Sequence, residues 1–384
     1  MNDRTTDSHT VKWGLVGCGW VAHDYVVPAL LATANARLIA LCDRDPAALN
    51  RVAALAPHAL ATTDLDALLT TPGLDAVYVA TPNASHPAIV AMVARAGCAV
   101  LCEKPMARTA AEACEMVRAC TENGVHYATA FDQRFHAAHR RLRELIAADA
   151  LGTITCVRVH YACWTPPDWR PAAWSHDNWR TDPAVAGGGA MLDLAPHGLD
   201  LVQTLLDEPI VRVSCLLQRR VHAYPVDDGA VIVASTASGV LVSHAVAYNC
   251  PDAFPRRELE VIGTRARALA TDTMGQTPGG RLTLTDVEGN VRDVSFAGDD
   301  RSPFQVQVET FGAALLAGHP FPFPPDRDLH TMRLLDACAR EECSTVPYVG
   351  DWTPRVAAYP STFASIAAAP TSFPAHDAAA ILRV

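Results

Sequence analysis

A short run, Lys12–Val16, leads directly into Gly17-Cys18-Gly19-Trp20-Val21-Ala22, which has the spacing G-x-G-x-x-A. Few local patterns restrict a fold more tightly. The first glycine permits a sharp turn at a strand end, and the second lets backbone approach a ligand closely. The small third residue lets the next helix pack against that strand. That helix turns its N-terminus toward the same point, where an anion such as a pyrophosphate is stabilised. A second strand, Arg37–Cys42, ends at Asp43, placed to hydrogen-bond the ribose hydroxyls of a dinucleotide. A carboxylate there repels a 2′-phosphate, so NAD is favoured over NADP, although the adjacent Arg44 offers such a phosphate a counter-charge. Gly17, Gly19, Trp20, Val21, Asp43 and Arg44 are therefore the expected contacts of an NAD cofactor, with NADP the alternative.

The alternation of strand and helix continues to about Asp132. Helical segments are expected at Ala47–Leu55, Leu65–Leu69, Ala88–Ala96 and Thr109–Asn123, with strands at Asp75–Thr81, Cys98–Cys102 and Val125–Phe131. Strands separated by helices pair in parallel through right-handed crossovers, which predicts an α/β Rossmann-type doubly wound sheet. Ligands of such sheets bind beyond the carboxyl ends of the strands, and Gly17, Asp43, Thr81 and Lys104 all fall at such ends. After a helix at Ala137–Ala148 the pattern changes. Thr153–Cys163 reads as a long strand, and Gly187-Gly188-Gly189 opens a helix reaching Leu206. Strands follow at Ile210–Gln218, Ala230–Thr236, Val240–Tyr248, Glu258–Gly263, Ala266–Ala270, Leu282–Thr285 and Val291–Phe296, with Ser238-Gly239 marking a hairpin. Helices are expected at Gln305–Ala317 and Leu329–Arg340. Few crossover helices among many strands predict an α+β domain with a large, mostly antiparallel open sheet. The expected divisions are a dinucleotide-binding domain over residues 1–132, the α+β domain over 133–350, and an Ala/Pro/Thr-rich extension over 351–384.

Three residues carry the expected chemistry. Glu103-Lys104-Pro105 ends the apolar run Ala99–Cys102, a run suited to the buried part of a sheet rather than to a surface turn. Asp193 and His197 lie four apart and so share a helical face, with Asp200 three further on; Pro196 cannot donate a helical hydrogen bond and predicts a kink. An unperturbed histidine titrates near neutrality and suits a general acid/base. A lysine at the reacting oxygen favours a developing alkoxide. Glu103 is expected to hold the cofactor ribose or to pair with Lys104. Trp164, Trp169, Trp174 and Trp179 recur every five residues, a period that fits neither helix nor strand. Beside Asp168, Arg170, His176, Asp177 and Arg180 they fit either a carbohydrate site or core and interface plugs. His136-x-x-His139 lacks a third ligand at suitable spacing, so no metal is expected.

Composition narrows the partners. A net charge of −10 argues against nucleic acid and anionic membranes. No apolar stretch approaches the roughly 20 residues needed to span a bilayer. The first ten residues are polar, without the apolar core of an export signal. Twelve cysteines are scattered without any C-x-x-C, as expected of buried thiols in a reducing cytoplasm.

The assembled motifs resemble the glucose–fructose oxidoreductase / inositol dehydrogenase (Gfo/Idh/MocA) family. The resemblance rests on Gly17-x-Gly19-x-x-Ala22, Asp43, Ala80-Thr81-Pro82-Asn83 with His86, and Glu103-Lys104-Pro105. It continues through Phe131-x-x-Arg134-Phe135, Trp179-Arg180 and Gly187–Asp193, with His197 and Asp200. Asp132-Gln133, Pro196, the tryptophan loop and the tail depart from the family pattern and bear on the substrate. The resemblance implies an NAD(P)-dependent oxidoreductase acting on a sugar, cyclic polyol or sugar derivative. Lys104, His197 and Asp193 would be catalytic, with Asp193 orienting the imidazole. Thr81, Asn83, His86, Glu103 and Lys104 would join the cofactor contacts. Asp132, Arg134, Trp179 and Arg180 would bind substrate together with Lys104, Asp193 and His197. A homodimer or homotetramer formed through the open face of the second sheet is also implied. Two alternatives stay open: an enzyme that recycles hydride on a retained cofactor, and a non-catalytic dinucleotide sensor.

Overall fold

A computed structural model describes residues 10–171, 174, 178–296, 300–341, 343–350 and 352. His176, Asp177 and most of the 351–384 extension lie outside the described residues.

The first sheet contains β1 (Val11–Val16), β2 (Ala36–Cys42), β3 (Leu60–Thr62), β4 (Ala76–Val79), β5 (Ala99–Glu103) and β6 (Tyr127–Ala130). Their order is β3-β2-β1-β4-β5-β6 and every pairing is parallel. This is the doubly wound arrangement read from the sequence, and its direction reverses between β1 and β4, the place where such sheets bind ligands. β4 and β6 are buried along their whole length, as expected of strands covered on both faces. The edge strand β3 was not anticipated: three residues, mostly exposed, carry no period to read.

The chain after the fingerprint makes a π-helical turn, Ala22–Val26, before α1 (Val27–Ala32), whose Pro28 cannot donate an i→i−4 bond. The crossovers are α2 (Pro46–Ala53), α3 (Leu65–Leu69), α4 (His86–Arg95) and α5 (Ala110–Glu122). Asp45 caps α2 by accepting from the Ala47 N–H, with Pro46 in the first turn. Thr109 likewise accepts from the Glu112 N–H to start α5. α6 (Ala137–Ala147) then leads out of this layer.

The second sheet has nine strands in the order β14-β13-β12-β11-β7-β10-β9-β8-β15. They are β7 (Ile154–Ala162), β8 (Ile210–Gln218), β9 (Gly229–Thr236), β10 (Leu241–Ala247), β11 (Arg257–Gly263), β12 (Ala266–Thr271), β13 (Arg281–Asp286), β14 (Val291–Asp293) and β15 (Ser344–Thr345). All pairs are antiparallel except β7 with β10. Between β7 and β8 lie α7 (Pro183–Ala186) and α8 (Ala190–Leu206). α9 (Pro303–Ala317) and α10 (Pro325–Ala339) follow β14.

One face of this sheet is covered by α8 and α10, and α8 is buried almost all round, which matches its nearly continuous apolar sequence. The other face stays open. Leu216, Val231, Val233 and Leu241 on adjacent strands are 72 %, 49 %, 54 % and 61 % exposed, while Ile232 and Ala234, alternating with them, are buried. α9 leaves the second sheet and packs on α1, β1 and β2, where Phe311 lies 5.6 Å from Trp13 between ring centroids. The first sheet's core is thus completed by residues nearly two hundred positions beyond its last strand.

Candidate active site

The carboxyl ends of the first sheet face one end of the second sheet across a cavity of about 1040 Å³. That lies at the top of the roughly 300–1,000 Å³ usual for a small-ligand site, as a dinucleotide and a substrate together require.

The nucleotide half is built from the strand ends. Gly17 has φ +95°, and a Cβ there would lie 2.6 Å from the Ala80 carbonyl, so only glycine fits between β1 and β4. A Cβ at Gly19 would meet nothing within 4 Å, leaving the helix N-terminus open to the cavity. Asp43 is fixed at the end of β2 by accepting from the Cys18 N–H at 2.6 Å and the Asp45 N–H at 2.8 Å. Trp20, Val21, Arg44, Thr81 and Asn83 also line the cavity, although the Asn83 amide is turned to donate to the Ala186 carbonyl at 2.8 Å. These features fit the diphosphate and ribose of a dinucleotide: an unobstructed backbone cradle, an anion-attracting helix end and a fixed carboxylate.

The chemical half gathers where the two layers meet. Lys104, at the end of β5, donates from Nζ to Asp193 Oδ1 at 2.8 Å and to the Asp193 carbonyl at 3.1 Å. The Tyr248 hydroxyl donates to the other Asp193 oxygen at 2.6 Å, and Arg180 Nε lies 3.6 Å from it. Burial opposes ionisation of Asp193, but Lys104, Arg180 and the hydrogen bonds from Lys104 and Tyr248 outweigh it. The carboxylate is held well below its usual range. His197, one turn along α8, is 3 % exposed, and its Nδ1 lies 3.3 Å from Asp132 Oδ1. Burial and then the Lys104 charge push the imidazole below its usual pKa, and Asp132 pulls it partly back. Glu103 accepts from the buried Tyr78 hydroxyl at 2.8 Å and from the Lys104 N–H at 3.2 Å. Burial raises Glu103 to about 7 against the opposing effects of Lys104 and Tyr78. The Lys104–Pro105 peptide is cis.

The helical-face expectation for Asp193 and His197 holds, since both line the cavity on an unbroken α8 that contains Pro196. The expected pairing does not. Asp193 binds Lys104, and the carboxylate facing the imidazole is Asp132, which arrives from the turn after β6. Nδ1 has no hydrogen-bond partner in this arrangement, so Asp132 acts on the imidazole chiefly through its charge.

Two residues expected at the ligand are elsewhere. His86 is fully buried outside the cavity, with Nδ1 3.0 Å from the Met106 carbonyl and Nε2 2.8 Å from the Thr81 carbonyl. It ties the loop after β4 to the turn that carries Lys104. Arg134 is also buried outside the cavity, its guanidinium bound to Asp200 at 2.9 and 2.5 Å and to Asp328 at 2.5 Å. Asp200 therefore serves Arg134 rather than His197. The tryptophans divide. Trp169 and Trp179 line the cavity with Trp20, and the Arg180 guanidinium lies 4.6 Å from the Trp179 ring and 5.4 Å from that of Trp169. Trp174 is buried under the Arg51 guanidinium of α2, and Trp164 sits against His222.

Residues 11–131 match the oxidoreductase family with an NAD-binding Rossmann fold, and residues 139–269 match the GFO/IDH/MocA C-terminal domain. The chain belongs to the GFO/IDH/MocA oxidoreductase family. It is 33% identical over 282 residues to the 1,5-anhydro-D-fructose reductase of Ensifer adhaerens, covering 72% of this chain and 81% of that one. It is 28% identical to D-xylose 1-dehydrogenase (NADP(+)) 2 of Haloferax volcanii, over 85% of this chain and 96% of that one. Among solved structures, GenD2 from gentamicin A biosynthesis in complex with NAD superposes with a TM-score of 0.73 at 27% identity, covering 87% and 94% of the two chains. The protein is thus an NAD(P)-dependent oxidoreductase with the dinucleotide at the first sheet.

Three cavity residues of this family member escaped the sequence reading. Tyr161 and Tyr248 sit at the carboxyl ends of the parallel neighbours β7 and β10, and Arg257 opens β11 directly opposite Tyr161. Each reads in sequence as an ordinary strand residue, and only the register brings them together. The Asp132–His197 contact yields a direct test. Asp132→Asn removes the interaction that raises the imidazole, so the His197 resonance should titrate at lower pH by NMR than in the wild type. An unshifted titration would mean that Asp132 does not act on His197.

Proposed function

We propose that this enzyme moves hydride between nicotinamide and a ring carbon bearing a hydroxyl on a sugar, cyclic polyol or sugar derivative. The observation that carries the reading is the joining of Lys104, Asp193, His197 and Asp132 in the same cavity as Gly17, Gly19 and Asp43. The relatives named for sugar substrates support it. Bound at the fingerprint, the nicotinamide supplies the hydride acceptor or donor. His197, neutral at physiological pH and faced by the Asp132 carboxylate, takes the hydroxyl proton. Lys104 stabilises the negative charge that develops on the substrate oxygen. Asp193 keeps Lys104 pointed into the cavity and does not orient the imidazole. Trp20, Trp169 and Trp179 offer faces to the C–H side of a ring.

Asp43 supports NAD as the preferred form, with Arg44 beside it the residue that would accept a 2′-phosphate. The open apolar face around Leu216, Val231, Val233 and Leu241 supports a homodimer or homotetramer. The twelve cysteines, none in a disulfide, support a reducing cytoplasmic location.

His197→Ala should lower turnover about 10²–10⁴-fold, or roughly 3–5 kcal/mol, while NAD still binds by fluorescence titration. Near-wild-type turnover would remove the assigned role. Because the imidazole pKa is lowered, its base form persists through neutral pH. The wild-type rate of alcohol oxidation should accordingly fall only on the acid side of the usual histidine range. Asp43→Ala should weaken NAD and relax discrimination against NADP; an unchanged ratio of the two dissociation constants would refute the ribose contact. Light scattering should give a mass that is a multiple of the 41.0 kDa subunit, and a monomer would rule out assembly through this face.

A further inference from the structure

Arg257 is a cation of the cavity's chemical half that no carboxylate answers among the described residues. It opens β11, and the register places it opposite Tyr161. Its guanidinium carbon lies 5.6 Å from the centre of the Tyr161 ring, which in turn stands 5.2 Å from the His197 ring. Lys104 and Arg180 both lean on Asp193. Among the described residues, by contrast, no carboxylate comes within ion-pair reach of Arg257. Its Nε is buried without a hydrogen-bond partner. The side chain is only partly buried, and an anion entering the cavity would supply the partner that its covered Nε lacks.

The guanidinium packs against the Gly275 backbone, where a Cβ would lie 2.5 Å from Arg257 Nη1. The Gly275 carbonyl accepts from Gln133 Nε2 at 3.0 Å, and the same amide donates to Asp132 Oδ2 at 2.9 Å. The loop that packs against Arg257 is therefore tied to the carboxylate that faces His197.

We propose that Arg257 receives the carboxylate of an acidic sugar or polyol substrate, of the uronic or aldonic acid class, while the hydroxyl-bearing carbon lies at Lys104 and His197. This rests on the oxidoreductase reading above. A planar guanidinium fork matches a carboxylate with two parallel hydrogen bonds, and sugar hydroxyls do not neutralise its charge. Arg44, which also lines the cavity without a carboxylate partner among the described residues, stands beside Asp43 in the nucleotide half, so a single guanidinium is left for one negative charge at the chemical half. Asp132 and Asp193 do not compete for it, because the first faces His197 and Gln133 and the second is bound by Lys104 and Tyr248.

The test uses the full chain, with Trp20, Trp169 and Trp179 in the cavity wall as reporters. Tryptophan fluorescence is titrated with D-glucuronate, D-galacturonate and D-gluconate, each beside its neutral sugar or polyol, and with D-glucose 6-phosphate and NAD. The wild type, Arg257→Gln and Arg257→Lys are compared, and rates of nicotinamide reduction are recorded for the same compounds. At least one acid should bind about 10- to 100-fold more tightly than its neutral partner. Arg257→Gln should abolish that difference, and Arg257→Lys should restore part of it. Equal affinity for every acid and its neutral partner overturns the proposal, as does a preference for the phosphate. Loss of NAD binding in Arg257→Gln also overturns it, since the arginine would then serve the cofactor. Acid-selective binding without turnover of any compound would keep the Arg257 subsite and sink the ring-carbon hydride transfer proposed above. Turnover of neutral and acidic compounds alike would do the reverse.

Discussion

Arg134 holds the two halves of the site in register. It is 2 % exposed, packed over the Phe131 and Phe323 rings, and bound to Asp200 on α8 and Asp328 on α10. One cation between two buried carboxylates is strongly retained in its charged form, because their attraction outweighs the penalty of burial. Burial and the second carboxylate, working against Arg134, leave Asp200 raised to about 6. Removing one member of such a cluster strands the others, at a cost of roughly 3–5 kcal/mol. The geometric consequence matters more here than the energy. Arg134 follows Asp132 by two residues and Asp200 follows His197 by three, so the ion pair clamps the turn after β6 to the middle of α8. That clamp is what brings Asp132 to His197.

A second electrostatic arrangement sorts the ionisable groups of the cavity into different states. Asp193, surrounded by Lys104, Arg180 and the Tyr248 hydroxyl, is held as a carboxylate. Glu103, partly buried in the cavity wall beside Tyr78, is raised to about 7 and accepts two hydrogen bonds, from the Tyr78 hydroxyl and the Lys104 N–H. His197 is kept uncharged by burial and by Lys104. Two carboxyl groups of the same ordinary behaviour, Asp193 and Glu103, are thus driven in opposite directions by their surroundings.

The nucleotide half was legible because its constraint is local. A strand, two glycines, a small residue and an acidic strand end each do their work within a few positions, and Gly17, Gly19 and Asp43 lie where that logic puts them. The second half was legible in outline only. Spacing placed Asp193 and His197 on one face of α8 but carried no information about which carboxylate meets the imidazole, because Asp132 arrives from 65 residues earlier. His86 and Arg134 belong to motifs that border the site, yet their side chains turn inward and serve carbonyls and carboxylates of the core. Tyr161, Tyr248 and Arg257 were invisible for a different reason. A sheet's register decides which strand residues share an end, and alternation alone does not report it. The return of α9 to the first layer is equally non-local, since Phe311 has no sequence neighbour that betrays its contact with Trp13.

The lowered pKa of His197 has a consequence for direction. On the role proposed for His197, alcohol oxidation finds the base form populated, so no proton has to be shed before the hydroxyl proton is taken up. In carbonyl reduction the imidazole must carry a proton, and burial beside Lys104 makes that imidazolium unfavourable. An unfavourable imidazolium is a stronger acid, so fewer molecules are charged at a given pH but each one releases its proton more readily to the forming alcohol. Asp132 moderates both effects by pulling the other way. The balance between the charges of Lys104 and Asp132 therefore bears on how evenly the proposed base serves the two directions, with Lys104 placed by Asp193 and Asp132 by the clamp at Arg134.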